Sequence, residues 1–214
     1  KIVEISQNIK QKEYMKRLDA NGMNVFPGFI DAHSHLGICE EKATVPGDIH
    51  NDLINAGVIE APYYADNSKK CSWVAEKDWK YTKIFNVDSL NKKTYIVFEG
   101  IDTVSTIYLN GTKIAETDNM FMQYRLDVTD LISLGENKIE VVIHSIRKEL
   151  EKYPEDGYFG CFNVQRIFIR KAQCHFSWDW APDFPATGIW KDVYLETRKD
   201  THINDINIRT ELDG

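Results

Sequence analysis

The sequence has little that would draw it to a polyanion. Its 214 residues carry 26 lysines and arginines against 33 aspartates and glutamates, a net charge of −7, with the two signs interleaved rather than blocked. Nucleic acid and anionic membrane surfaces both call for a basic patch, so neither is expected as a partner. No apolar run approaches the roughly 20 residues that cross a bilayer. The opening KIVEISQNIK lacks the basic-then-apolar layout of a secretory leader, which favours the cytoplasm. It also lacks an initiating Met, so an excerpt of a longer chain is expected. There are only four cysteines, Cys39, Cys71, Cys161 and Cys174, and their spacings fit neither a zinc knuckle nor a Cys-x-x-Cys redox pair. They read as reduced thiols, with a Cys161–Cys174 disulfide as the alternative. Repeats and low-complexity segments are absent, and nothing calls for a cofactor.

What is present is a foldable amount of apolar material, 43% of residues with 12% aromatic, enough for one large or two small domains. From Trp73 onward the pattern is mostly β. DWKYTKIFNV, TYIVFEG, VSTIYLNGTKIAE, FMQYRLDV, NKIEVVIHSI and GIWKDVYLETR all read as strands. In NKIEVVIHS, Ile139, Val141 and Ile143 alternate with Glu140, Val142 and His144, which suits a strand with one buried face. KDVYLET alternates in the same way, and Trp190 beside it reads as core. Asn110-Gly111 predicts a type I′ hairpin. DIHNDLINAG predicts a short helix capped by Asp48, ended by Gly57 and burying Ile49 and Leu53. HSIRKELEKYPED predicts a helix stopping before Pro154, and VIEAPYYADNSKKCSW an ordered loop. Short strands with long returns and no regular β-α alternation predict a mainly all-β, jelly-roll β-sandwich.

HFSWDWAPDFPATGIW, residues 175 to 190, packs three of the five tryptophans into sixteen residues. Pro182 and Pro185 forbid a regular helix, so 178 to 186 reads as a stiff loop leading into a strand at Gly188–Tyr194. If extended, Trp178 and Trp180 would share a side with Asp179 opposite. A flat aromatic face packs on the C–H surface of a pyranose, and a carboxylate beside it binds hydroxyls. This segment supplies both. Asp183 reads as a turn former and His175 as a packed histidine.

Two stretches resemble known families. PGFIDAHSHLG, residues 27 to 37, resembles the metal-binding signature of the amidohydrolase superfamily, within a fragment spanning about 1–41. The resemblance implies that His33 and His35 bind a catalytic metal there. The remaining ligands of that family have no counterpart past Glu41, so no metal function is expected. Residues 42–198 resemble the galactose-binding-domain-like, N-terminal sugar-binding domain of family 2 glycoside hydrolases, in the β-mannosidase branch. The matching words are ATVPGDIHNDLINAG, APYYADN, WVAEKDWKYTKIF, IYLNG and IRKAQCHFSWDWAPDFPATGIWKDVYLE.

This second resemblance implies an accessory domain that shapes the sugar subsite of a retaining β-mannosidase. Asp179 would bind a mannose hydroxyl, Trp178 or Trp180 would line the pocket, and Arg170 and Gln173 would support the loop. Retaining hydrolysis uses two carboxyl groups about 5 Å apart. In that family both are glutamates on a (β/α)8 barrel following an immunoglobulin-like domain. These modules of the same parent are the expected partners, beside a β-mannoside or other carbohydrate. THINDINIRTELDG, within 199–214, resembles a linker and the first strand of that second domain. The chain alone is expected to be inactive. The family's opening strand is replaced by the amidohydrolase-like piece, so KIVEIS or MNVFPGF is expected to pair at the edge it leaves. The competing readings are a metal-dependent amidohydrolase fragment and a free-standing carbohydrate-binding sandwich.

Overall fold

The computed structural model describes residues 23–27, 41–90, 93–198 and 207–211. In chain order, β1 (Met23–Pro27) and β2 (Glu41–Ala43) precede the helices α1 (Ile49–Asn55) and α2 (Asn67–Lys70). Six strands follow: β3 (Trp79–Val87), β4 (Lys93–Phe98), β5 (Ser105–Leu109), β6 (Thr112–Thr117), β7 (Tyr124–Asp127) and β8 (Gly135–Ile143). Helix α3 (Ile146–Leu150), a ribbon of β9 (Phe176–Trp178) and β10 (Ala181–Asp183), and β11 (Val193–Arg198) complete the order.

The strands form a six-stranded sheet, β2-β1-β3-β8-β5-β6, a three-stranded sheet, β11-β4-β7, and the separate β9–β10 ribbon. Alternation explains how the two larger sheets meet. Ile139, Val141 and Ile143 of β8 are buried while Glu140 and Val142 on the other side are half-buried. The buried side joins Trp79 and Tyr81 of β3, Ile107 and Leu109 of β5, and Ile96 and Phe98 of β4 in one apolar cluster. Residues from both sheets in one core make a β-sandwich, as the alternation predicted.

Local signals were accurate where they were chemical. Asp48 accepts the Asn51 amide at the start of α1, Ile49 and Leu53 are buried, and Gly57 takes φ 71° just past the helix. Asn110 (φ 50°) and Gly111 (φ 81°) form the β5–β6 turn. The Asn110 side chain also donates to the Leu131 carbonyl at 3.1 Å and accepts the Lys138 amide at 2.9 Å. No atom lies within 4 Å of where a Gly111 Cβ would stand, so a substitution there meets only backbone strain. Gly111→Val is therefore expected to cost about 1–2 kcal/mol, read as a lower urea midpoint with an unchanged m-value.

The edge of the large sheet answers the question of the opening strand. β1 pairs antiparallel with β3 from Asn24↔Thr82 to Pro27↔Trp79, and with β2 on its other side. MNVFP thus forms the strand beside β3, while KIVEIS lies outside the described residues. The sheet therefore draws on residues to either side of Glu41.

Several expectations need correction. The segment after α1 is not a plain loop; it contains α2 and a 3-10 turn over Ser72–Glu76. β11 begins at Val193 rather than Gly188, and Gly188 makes only an isolated bridge to Asp102. As an outer strand, β11 leaves Leu195 and Tyr194 both exposed, which removes the burial contrast its alternation suggested. Trp190 is not core. Its indole lies over Gly100, where a Cβ would come within 2.6 Å of Nε1, under the Lys191 ammonium at 4.5 Å, and 36% of it remains exposed. Of the stretch 199–214, only residues 207–211 are described and they carry no assigned helix or strand; the rest lies outside the described residues. Cys71, Cys161 and Cys174 are free thiols, so the Cys161–Cys174 disulfide is not formed. No helix among the described residues is long and apolar enough to cross a membrane.

Candidate functional site

The tryptophan segment is a hairpin, not a loop. β9 and β10 pair with Trp178 opposite Ala181 and Phe176 opposite Asp183, leaving Asp179 and Trp180 as a two-residue turn. Pro182 is tolerated because the ribbon has only two strands, so both are edges where a missing N–H is harmless. The turn changes the geometry expected from an extended chain. Trp178 and Trp180 do not lie side by side; their rings meet edge to face at 5.8 Å and 62°. Trp180 is 74% exposed and Trp178 37%, and Asp179 between them is exposed. Asp183 lies in β10 rather than in a turn, where it accepts a hydrogen bond from Arg147 at 2.7 Å.

Two residues beside this tip hold unusual backbone. Phe162 (φ 66°) and Ser177 (φ 80°) are two of the four non-glycine residues at positive φ among the described residues. Such conformations cost about 1–3 kcal/mol each and persist where surrounding contacts over-determine them. The Phe162 ring lies 5.9 Å from Trp178. Phe162, Trp178 and Trp180 therefore form a continuous exposed aromatic rim with one carboxylate in it.

The two supporting residues expected from sequence divide. The Gln173 side-chain amide donates to the carbonyls of Arg166, Ile169 and Lys171, which folds the approach to β9 into a tight coil. Arg170 stands away from the tip and pairs with Asp118 at 3.2 Å on an exposed surface. Sequence reasoning missed Arg166. It is 5% exposed, donates to the carbonyls of Gln173 and Ser177 at 3.1 and 3.2 Å, and lies 5.3 Å from the Trp178 ring centre. The signal was faint: an arginine four residues after a phenylalanine in a segment without periodicity. His33 and His35 lie outside the described residues. Among the described residues, no cluster of three or more His, Cys, Asp or Glu could hold a metal.

A polar layer lies beneath the return from the hairpin. Lys171, with a fully buried side chain, donates to Asp102 and to the Ala186 carbonyl. Burial pushes its ammonium below the usual lysine range while Asp102 opposes the shift. His175 Nδ1 stands 3.9 Å from Asp102, and burial and Lys171 together lower its pKa. The Phe184 ring packs against the buried His50, with ring centres 4.1 Å apart and planes tilted by 44°.

His50 and nearby Asp52 are shifted in opposite directions. Burial lowers His50 from 6.5 to about 4, against the pull of Asp48, and raises Asp52 from 3.8 to about 6 despite the Thr44 amide bond. Folded His50 holds fewer protons than the unfolded chain between these two values, so its contribution to stability is lost as pH falls from 6.5 to 4. Folded Asp52 holds more, so its contribution is present at low pH and lost as pH rises from 3.8 to 6. Each slope is bounded at about 3 kcal/mol, and between pH 4 and 6 they oppose. Stability measured by urea across that window should therefore be compared with the wild type, where His175 adds a further rise with pH. The slope against pH should become more positive than in the wild type in Asp52→Asn and more negative in His50→Gln.

With this geometry in place, comparison with known proteins decides the family. The model described as the glycosyl hydrolase 2 galactose-binding domain-like family matches residues 31–191. The chain belongs to that family. The matched stretch contains the whole β9–β10 hairpin, Arg166, Gln173 and the Lys171–Asp102 pair. Among curated relatives, a β-mannosidase of Bos taurus is 39% identical over 188 residues, covering 80% of this chain and 21% of its own length. A probable β-mannosidase of Caenorhabditis elegans is 35% identical over 187 residues, with 79% and 21% covered. The solved β-D-mannosidase of Dictyoglomus thermophilum is 40% identical with a TM-score of 0.73, over 85% of this chain and 22% of that one. The family 2 chain thus spans about a fifth of the length of the relatives it matches.

Proposed function

We propose that this chain is the accessory sugar-binding domain of a β-mannosidase-like retaining glycoside hydrolase, and that its hairpin tip shapes the subsite for the terminal mannosyl unit. The observation that carries the reading is the exposed Trp178–Asp179–Trp180 tip. A sandwich gains nothing for its own stability by turning a 74%-exposed indole to water. A hexose gives that indole a C–H face to cover and gives Asp179 a hydroxyl to accept from. Trp180 is the better platform of the pair, because Arg166 and Trp180 already cover much of Trp178.

In this reading the sugar site belongs to residues 42–198, and the amidohydrolase-like stretch before it, from which Met23–Pro27 adds a strand beside β3, has no metal function. The pair of carboxyl groups for retaining chemistry comes from a neighbouring barrel of the same parent, reached through an immunoglobulin-like domain. The purified 214-residue chain should not release 4-nitrophenol from its β-D-mannoside, and turnover by it would refute the accessory role. Stoichiometric zinc in that same preparation would instead favour the amidohydrolase reading. Within the full-length enzyme, Trp180→Ala should raise KM for the same substrate about 10-fold, in line with roughly 1–1.5 kcal/mol from one stacked face. An unchanged KM would remove Trp180 from the subsite.

A further inference from the structure

Among the described residues Arg166 is a buried cation without an anion: it forms no ion pair, and its Nε has no hydrogen-bond acceptor. A buried charge is costly unless its surroundings replace water. Here the replacement consists of the Gln173 and Ser177 carbonyls and two aromatic faces, Phe162 at 5.7 Å and Trp178 at 5.3 Å. Cation–π attraction strengthens on desolvation, so rotation of the Trp178 ring away from the guanidinium would leave the charge poorly solvated. The Trp178 ring is held for that reason, and Trp180 packs edge-on against it at 5.8 Å. The Ser177 carbonyl ties the same guanidinium to the residue at φ 80° in the middle of β9.

We propose that Arg166 is a positioning residue, a guanidinium that fixes the Trp178 ring and through it the orientation of Trp180 and Asp179. It touches no sugar. Its functional meaning rests on the sugar-site reading above, but its action on the two indoles does not. Both carbonyl bonds leave one nitrogen, Nη1, so what sets arginine apart is the flat guanidinium face that it lays against two rings. Lysine keeps the charge and loses that geometry.

The test uses the whole chain without sugar. Two indoles at this distance and angle couple their transitions; Trp73 and Trp79, 6.0 Å apart, couple as well, so the couplet read here is the part of the circular-dichroism signal that Trp180→Phe removes. Arg166→Met should lose most of the couplet while still unfolding cooperatively, and Arg166→Lys should keep a reduced one. A purely structural arginine would lower the melting temperature and leave the couplet unchanged. An unchanged couplet in either folded variant overturns the proposal. Should Arg166→Met fail to fold, Arg166→Lys decides alone. No sugar enters this measurement, so its failure is distinct from failure of the sugar-site reading, which Asp179→Ala tests.

Discussion

Asp179→Ala in the full-length enzyme is expected to lower kcat/KM for a β-mannoside by about 10²-fold, while Asp183→Ala lowers it less than about 3-fold. The two aspartates lie four residues apart on one hairpin, and the structure separates them. Asp179 stands exposed at the turn between two indoles. Asp183 is already engaged with Arg147 at 2.7 Å. A carboxylate that accepts a sugar hydroxyl contributes roughly 1.5–3 kcal/mol. It acts on kcat as well as KM where the bond tightens as the ring distorts in the transition state. The Arg147–Asp183 pair is partly exposed and contributes about 0–1 kcal/mol to stability, so its loss barely reaches the sugar. Equal and small effects from both substitutions would remove Asp179 from the site.

The second large effect is on stability. Lys171→Met leaves the Asp102 carboxylate, 4% exposed, without its cation. Removing one member of a buried pair costs about 3–5 kcal/mol, because the charge left behind stays buried. That is a large share of the roughly 5–15 kcal/mol that holds a typical domain folded. The site adds a local reason for a cost at this end of the range. Lys171 also donates to the Ala186 carbonyl, and the Asp102 backbone exchanges bonds with Gly188, with N to Gly188 O at 2.9 Å and Gly188 N to O at 3.2 Å. Lys171 and Asp102 thus anchor the return of the hairpin to the core. The double variant Lys171→Met, Asp102→Leu should recover part of the loss, since no orphaned charge remains. Urea denaturation of the three variants measures the effect. A loss under about 1 kcal/mol in Lys171→Met would show that the pair carries no weight there.

What could be read in the sequence was what short-range chemistry dictates. Asn110-Gly111 forms its turn because both residues accept positive φ. Asp48 caps α1 because its carboxylate reaches Asn51 N, and β8 alternates because one face is core. The hairpin at 176–183 was not legible as a hairpin. Its strands are three residues long, too short for alternation, and Pro182 argues against a strand anywhere but at an edge. The composition of the tip was visible; its edge-to-face shape depends on the tight turn and was not. Arg166 was missed for a different reason. Its partners, Ser177 and Trp178, lie more than ten residues away across irregular backbone, where no periodicity links them. Arg170 is separated from it by one helical-turn spacing and was the more conspicuous arginine. The backbone coil of 165–175, set by the three Gln173 bonds, turns Arg166 inward and leaves Arg170 exposed.

The measurement that bears most directly on the sugar site is a crystal structure of the full-length enzyme with a mannose-configured inhibitor. The expected result is an Asp179 oxygen within about 3.2 Å of a ring hydroxyl and the open face of Trp180 against the sugar or its leaving group. A tip packed against protein alone, with the bound sugar out of reach of residues 178–180, would contradict it.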